Sequence, residues 1–111
     1  MKTRKVNEYS VYISGAITGN ENAEESFRLA EEKLRKLFPK AEVYNPLEKA
    51  KELTKSFNFG KPKWSDYMKY VLQLLMKSDC AYFLKGWTNS KGALLEHALC
   101  EQLDIKIVEE E

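Results

Sequence analysis

The chain has 111 residues, enough for one domain with a single modest core and too few for two. Its 18 basic and 17 acidic side chains leave a formal charge of +1, so no overall field draws it to nucleic acid or to an anionic membrane. No apolar run nears the roughly 18 residues of a membrane span, and Met1-Lys2-Thr3-Arg4-Lys5 leads to a short strand rather than to the apolar core of a signal peptide.

In chain order, Tyr9-Ser10-Val11-Tyr12-Ile13-Ser14 is a β-branched and aromatic run that stops at Gly15, so it reads as a strand feeding a small-residue loop through Gly19. From Glu21 to Phe38, the residues Ala23, Phe27, Ala30, Leu34, Leu37 and Phe38 recur at helical spacing with charges between them, which predicts an amphipathic helix ended by Pro39. Ala41 to Tyr44 is a second strand, closed by Asn45-Pro46. Strand, helix and strand at this spacing form a βαβ unit, so the two strands should be parallel. Leu47 to Leu53 predicts a short helix. Residues 54–63 break any periodicity and read as a loop carrying Phe57 and Phe59, either a lid or partner contact or a surface insertion. A helix opening at Trp64 or Ser65 and reaching Ser78 carries a broad apolar stripe of Tyr67, Met68, Val71, Leu72, Leu75 and Met76, widened by Leu74, which predicts extensive burial.

A third strand follows from Asp79 to Leu84, then the loop Lys85 to Asn89, then a helix capped by Asn89 or Ser90, and a last strand from Ile105 to Val108. The whole predicts an α/β fold: a small doubly wound, Rossmann-like or flavodoxin-like parallel sheet of about four to five strands with flanking helices, in one domain over residues 1–111. Ligand is then expected at the carboxyl ends of the strands. The first and third strands should be neighbours, which brings Gly15 close to Ser90 and Glu96.

Glu96 is the candidate for chemistry. It shares a helical face with Gly92, Leu99, Cys100 and Leu103, an expensive place for a charge, and Gly92 one turn earlier leaves room for a ligand. A carboxylate so placed can act as nucleophile or general base, and the bland alternative is a solvated helix residue. Asn45 and Asn89 stand at two of the strand ends that converge on the same place. Tyr12 can reach the cleft or lie in the core. Neither G-x-G-x-x-G nor G-x-x-x-x-G-K-[ST] occurs, so dinucleotide and nucleoside-triphosphate fingerprints are missing. The lysines at 49, 51, 55, 61 and 63 are either solvated surface or a cationic margin for a phosphorylated ligand. Cys80, Cys100 and the single His97 have no metal-ligand spacing; two buried reduced thiols, no metal, no cofactor and a cytoplasmic location are the expectations. His97 lies about 100° around the helix from Glu96 and reads as a surface or interface residue. Asp79, at the head of its strand, reads as a local hydrogen-bonding group.

Four blocks, Tyr12-Ile13-Ser14-Gly15, Asn45-Pro46, Ser78-Asp79-Cys80 and Ser90-Lys91-Gly92 with Glu96 beyond it, together resemble the nucleoside 2-deoxyribosyltransferase-like superfamily. Within it the chain is similar to the small phage and bacterial proteins grouped as DUF4406, and more distantly to the 2′-deoxynucleoside 5′-phosphate N-hydrolases. The resemblance spans roughly residues 9 to 108. It implies that Glu96 attacks the anomeric carbon of a (deoxy)nucleoside or nucleoside 5′-monophosphate, that Ser90 and Gly92 hold a 5′-phosphate, that Gly15 and Tyr12 lie against the nucleotide, and that the chain forms a homodimer or larger homo-oligomer. The family commonly has an Asp where this chain has Val71, and a Pro where it has Ala16; Asp66, five residues before Val71, stands on another part of the helix. Glu96 favours an N-glycosidase or base-exchange enzyme, whereas Val71 favours a nucleotide-binding module, a sensor or sequestering protein, that keeps the cleft without efficient chemistry. A partner-binding role through Trp64 and Phe57 to Phe59 is the third reading.

Overall fold

Strand β1 (Ser10–Ser14) is buried along its whole length, because its β-branched and aromatic side chains are covered on both faces of the sheet. The computed structural model describes residues 9–17, 20–58 and 60–111. Around β1 the remaining strands are β2 (Glu42–Tyr44), β3 (Cys80–Phe83) and β4 (Lys106–Glu109), in the order β2-β1-β3-β4 with every pair parallel. Among the described residues the doubly wound α/β sheet therefore has four strands. The first and third strands are neighbours, with Tyr12 opposite Ala81 and Ser14 opposite Phe83, so the strand order reverses between them.

Alternation along β1 divides the core. Val11 and Ile13 face helix α1 (Ala23–Leu37), meeting its buried Phe27, Ala30 and Leu34. Tyr12 faces the other layer, where α3 (Trp64–Met76) and α4 (Lys91–Gln102) pack over Ala81 and Phe83. α1 is fixed by its apolar stripe, with Glu24 and Glu25 in its first turn and Arg35 and Lys36 in its last, each suited to the helix dipole. Ion pairs on its exposed side, such as Arg28 with Glu32, are worth at most about 0.5 kcal/mol each.

Helix α2 (Pro46–Ser56) is longer than its apolar pattern predicts. Pro46 occupies the first turn, where its missing N–H costs nothing, and Asn45 caps it. At the other end the Thr54 and Ser56 hydroxyls donate back to the carbonyls of Ala50 and Glu52 within the helix. The connection to α3 shrinks accordingly to residues 57–63. Phe57 in it is half-buried, and Phe59 lies outside the described residues, as does Gly19 in the loop after β1.

α3 opens at Trp64, with Asp66 accepting from the Lys63 backbone N–H at 2.8 Å. Its buried stripe is narrower than the sequence predicts: Met68, Val71 and Leu75 are buried, Leu72 and Leu74 half-buried, and Met76 is 46% exposed. Cys100 is buried but Cys80 only half-buried, and neither is paired. No helix among the described residues is long and apolar enough to cross a membrane.

Candidate functional site

Residues two apart on a strand share a face, so Tyr12 and Ser14 both point from the central strand toward α4. Glu96 lies directly opposite. It projects from the buried side of α4, between Ala93 and Cys100, and is itself only 5% exposed. The Ser14 hydroxyl donates to its Oε1 at 2.7 Å and the Tyr12 hydroxyl donates to its Oε2 in a short hydrogen bond. Both carboxyl oxygens are therefore held by hydroxyls from one strand, which fixes the plane of the group.

Burial pushes the Glu96 carboxyl up to about 7, although the bonds from Tyr12 and Ser14 pull in the opposite direction by favouring the ionised form. Tyr12 is held well above its ordinary value, first by burial and then by the neighbouring Glu96, so it remains a donor. Near neutral pH the carboxyl thus titrates, while its two partners keep their protons. A titrating carboxyl in a cleft is the usual signature of a group kept for chemistry or ligand binding.

Beside Glu96 opens a cavity of about 200 Å³. Gly15 and Ile17 bound it from the loop after β1, and Pro46 from the start of α2. Trp64, Tyr67, Met68 and Val71 line it from α3, and Ser90, Gly92 and Ala93 from the start of α4. These belong to the carboxyl ends of the strands, as expected of a sheet whose order reverses at β1 and β3. At Gly92 an added Cβ would meet Met68 Sδ at 3.2 Å, so the glycine allows α3 and α4 to approach here. At Gly15 a Cβ would come within 3.1 Å of the Leu84 side chain. Trp64 forms part of the outer wall, with Lys91 Nζ 4.1 Å from its ring centroid. Tyr67 is tied to α2, its hydroxyl 2.8 Å from Thr54 Oγ1.

Of the residues expected at the site, Glu96, Tyr12, Gly15, Ser90 and Gly92 meet at this cavity, whereas Asn45 and Asn89 do not line it. Ser90 is the cap of α4 and accepts from the Ala93 N–H at 3.2 Å. Asn45 is occupied structurally: its Oδ1 accepts from Leu47 N at 3.0 Å and its Nδ2 donates to Glu31 at 3.1 Å, which anchors the neighbouring Pro46 in the wall. Asn89 is exposed in a short 3₁₀ turn, Trp87–Asn89. Leu103, expected on the Glu96 face, lies past the helix end and is 51% exposed. Ser14 escaped the sequence reading although period-two alternation from Tyr12 points to it, and Trp64 and Tyr67 were hidden in a stripe that reads as core.

No Lys, Arg or His is among the described residues lining the cavity, and the lysines of residues 49–63 lie outside it; Lys51, for example, pairs with Glu24 and Glu48. His97 stacks on Trp87 with centroids 4.4 Å apart and faces Glu101 at 3.2 Å, so it is an aromatic packing group away from the carboxyl. Asp79 accepts from the Ser10 backbone N–H at 2.9 Å and ties β3 to β1. Among the described residues no group of three or more His, Cys, Asp or Glu is placed to hold a metal ion.

The family model of DUF4406, a domain of unknown function, matches residues 9–109, and the chain belongs to that family. No curated protein and no solved structure matches it.

Proposed function

We propose that this member of the DUF4406 family cleaves or exchanges the N-glycosidic bond of a (deoxy)nucleoside or nucleoside 5′-monophosphate, with Glu96 as nucleophile. The observation that carries the reading is the grip of the Tyr12 and Ser14 hydroxyls on both oxygens of a buried carboxyl at the edge of a cavity. Such a group is costly to bury and is positioned before any ligand arrives, which suits attack on carbon.

In this account the ionised Glu96 attacks the anomeric carbon. The glycosidic C–N bond breaks as the new C–O bond forms, and its electron pair leaves with the base, which takes a proton from solvent. Water then attacks the same carbon, returning Glu96 as a carboxylate and releasing the sugar; attack by a second base in place of water gives exchange. Tyr12 and Ser14 are positioning residues that hold the attacking oxygens. A cavity of about 200 Å³ is below the roughly 300–1,000 Å³ of most ligand pockets, which fits a sugar held inside with part of the ligand against the outer Trp64 wall.

One observation favours a second reading, a nucleotide-binding module without turnover. Val71 lines the cavity at the position where the superfamily that the chain resembles commonly has an Asp, and Glu96 is the only carboxylic acid among the described lining residues. Loss of such a group commonly lowers rates by about 10²–10⁴. Incubation with a panel of nucleosides and 5′-monophosphates, with free base followed by chromatography, separates the two. The enzyme reading predicts base release that Glu96→Ala abolishes. Ligand-induced thermal stabilisation without release by either protein would replace it with the binding module.

A further inference from the structure

Attack by Glu96 on a sugar carbon requires the base to depart on the opposite side of that carbon, so that the forming and breaking bonds lie in line. Glu96 is 5% exposed and sits at the buried end of the cavity, which directs the departing base to the mouth. There the wall is Trp64, 40% exposed, and the ammonium of Lys91 stands 4.1 Å from its ring centroid. Lys91 does not line the cavity; it is exposed at the rim, between Ser90 and Gly92, which do. Helical side chains lean toward the N-terminus, so a lysine that opens α4 reaches back over the entrance rather than down the helix. Its placement is unfavourable for the helix, because a cation in the first turn opposes the dipole and no acidic residue of that turn offsets it. Among the described residues its partner is the indole and not a carboxylate.

We propose that Lys91 is a second catalytic residue, whose ammonium hydrogen-bonds the departing base. The inference rests on the reaction proposed above. As the C–N bond breaks, its electron pair moves onto the ring, and negative charge gathers on that nitrogen and on the neighbouring acceptor, a pyrimidine carbonyl oxygen or a purine ring nitrogen. Lys91 donates an N–H to this acceptor and keeps its proton, and the base takes one from solvent afterwards. No described lining side chain supplies positive charge for the purpose. The Tyr12 hydroxyl donates to Glu96, that of Tyr67 is shared with Thr54, and Ser90 caps α4. The aromatic wall favours a base here over a phosphate, since a flat ring can lie along an indole and an anion gains nothing from its face.

Initial rates of base release by the wild type, Lys91→Gln and Lys91→Arg test it. The substrates are deoxyuridine with fluorodeoxyuridine and deoxyadenosine with fluorodeoxyadenosine, each also as its 5′-monophosphate; in each pair the fluorinated ring is the better leaving group. Lys91→Gln should lower kcat about 30-fold on the plain base with little change in KM, and only about threefold on the fluorinated one, because a base that carries its own charge well needs the ammonium less. Lys91→Arg should keep most of the rate, and both variants should melt within a few degrees of the wild type, since the side chain is exposed. Rates untouched by Lys91→Gln, an equal loss on both members of a pair, or a loss confined to KM for the 5′-monophosphates would overturn the role of Lys91 while leaving the Glu96 reaction standing. No base release by the wild type from any of these substrates would remove the reaction, and this role with it.

Discussion

Replacing Glu96 by Gln should make the protein more stable at pH 8 and leave it nearly unchanged at pH 4. The carboxyl titrates near 7 in the folded chain against an ordinary value of 4.5, because burial disfavours its charge. Its folded pKa is thus raised, so the folded state holds the proton more tightly than the unfolded one. The contribution is complete below pH 4.5 and is lost as pH rises through 7. At about 1.4 kcal/mol per pH unit, the interval makes about 3 kcal/mol. Gln keeps the shape, and its amide can still meet the Tyr12 and Ser14 hydroxyls. For a chain of this length 3 kcal/mol is about 10–15 °C in Tm. Thermal or urea unfolding of both proteins from pH 4 to 8 measures the difference directly, since the other carboxylates titrate alike in each. Parallel curves would mean that Glu96 is not held as a strained, titrating group, and the argument for its chemistry would lose its physical basis.

Tyr12→Phe and Ser14→Ala each strip a donor from a buried carboxyl oxygen, which should cost about 1–3 kcal/mol of stability and move the rising limb of any pH–rate profile to higher pH. Both effects are readable from unfolding curves and initial rates. Ser90→Ala removes the cap of α4 and should lower stability by about 1 kcal/mol, seen as a shift in urea midpoint with an unchanged slope. Gly92→Ala should leave Tm within a few degrees, because the atom it meets is the flexible end of Met68, yet weaken ligand binding about tenfold by narrowing the cavity. Titration calorimetry with the best ligand checks it.

The sheet and the position of Glu96 were legible because they depend on local pattern. Alternating β-branched residues at 9–14, the helical period from Ala23 to Leu34 and the small-residue loops at the strand ends each imply one element, and parallel crossovers leave few ways to assemble them. What the sequence concealed depends on tertiary contact. Asn45 looked like a ligand group because it ends a strand, but its amide is consumed in capping α2. Trp64 and Tyr67 share the helical spacing of core residues, and only the packing of α3 beside α4 turns them toward the cavity. The polar end of α2 reads as loop, yet the helix runs on to Ser56. Ser14 was within reach of period-two reasoning, yet its value lies in a partner 82 residues away.

The central claim is that Glu96 forms a bond to a sugar. It is tested most directly by acid-quenching the protein during incubation with a nucleoside or nucleotide substrate and mapping the sugar adduct by peptide mass spectrometry. The account predicts one pentosyl group on the peptide that contains Glu96, absent in Glu96→Gln and lost on standing as water completes the reaction. Base release with no adduct at Glu96, or an adduct on another residue, would contradict it.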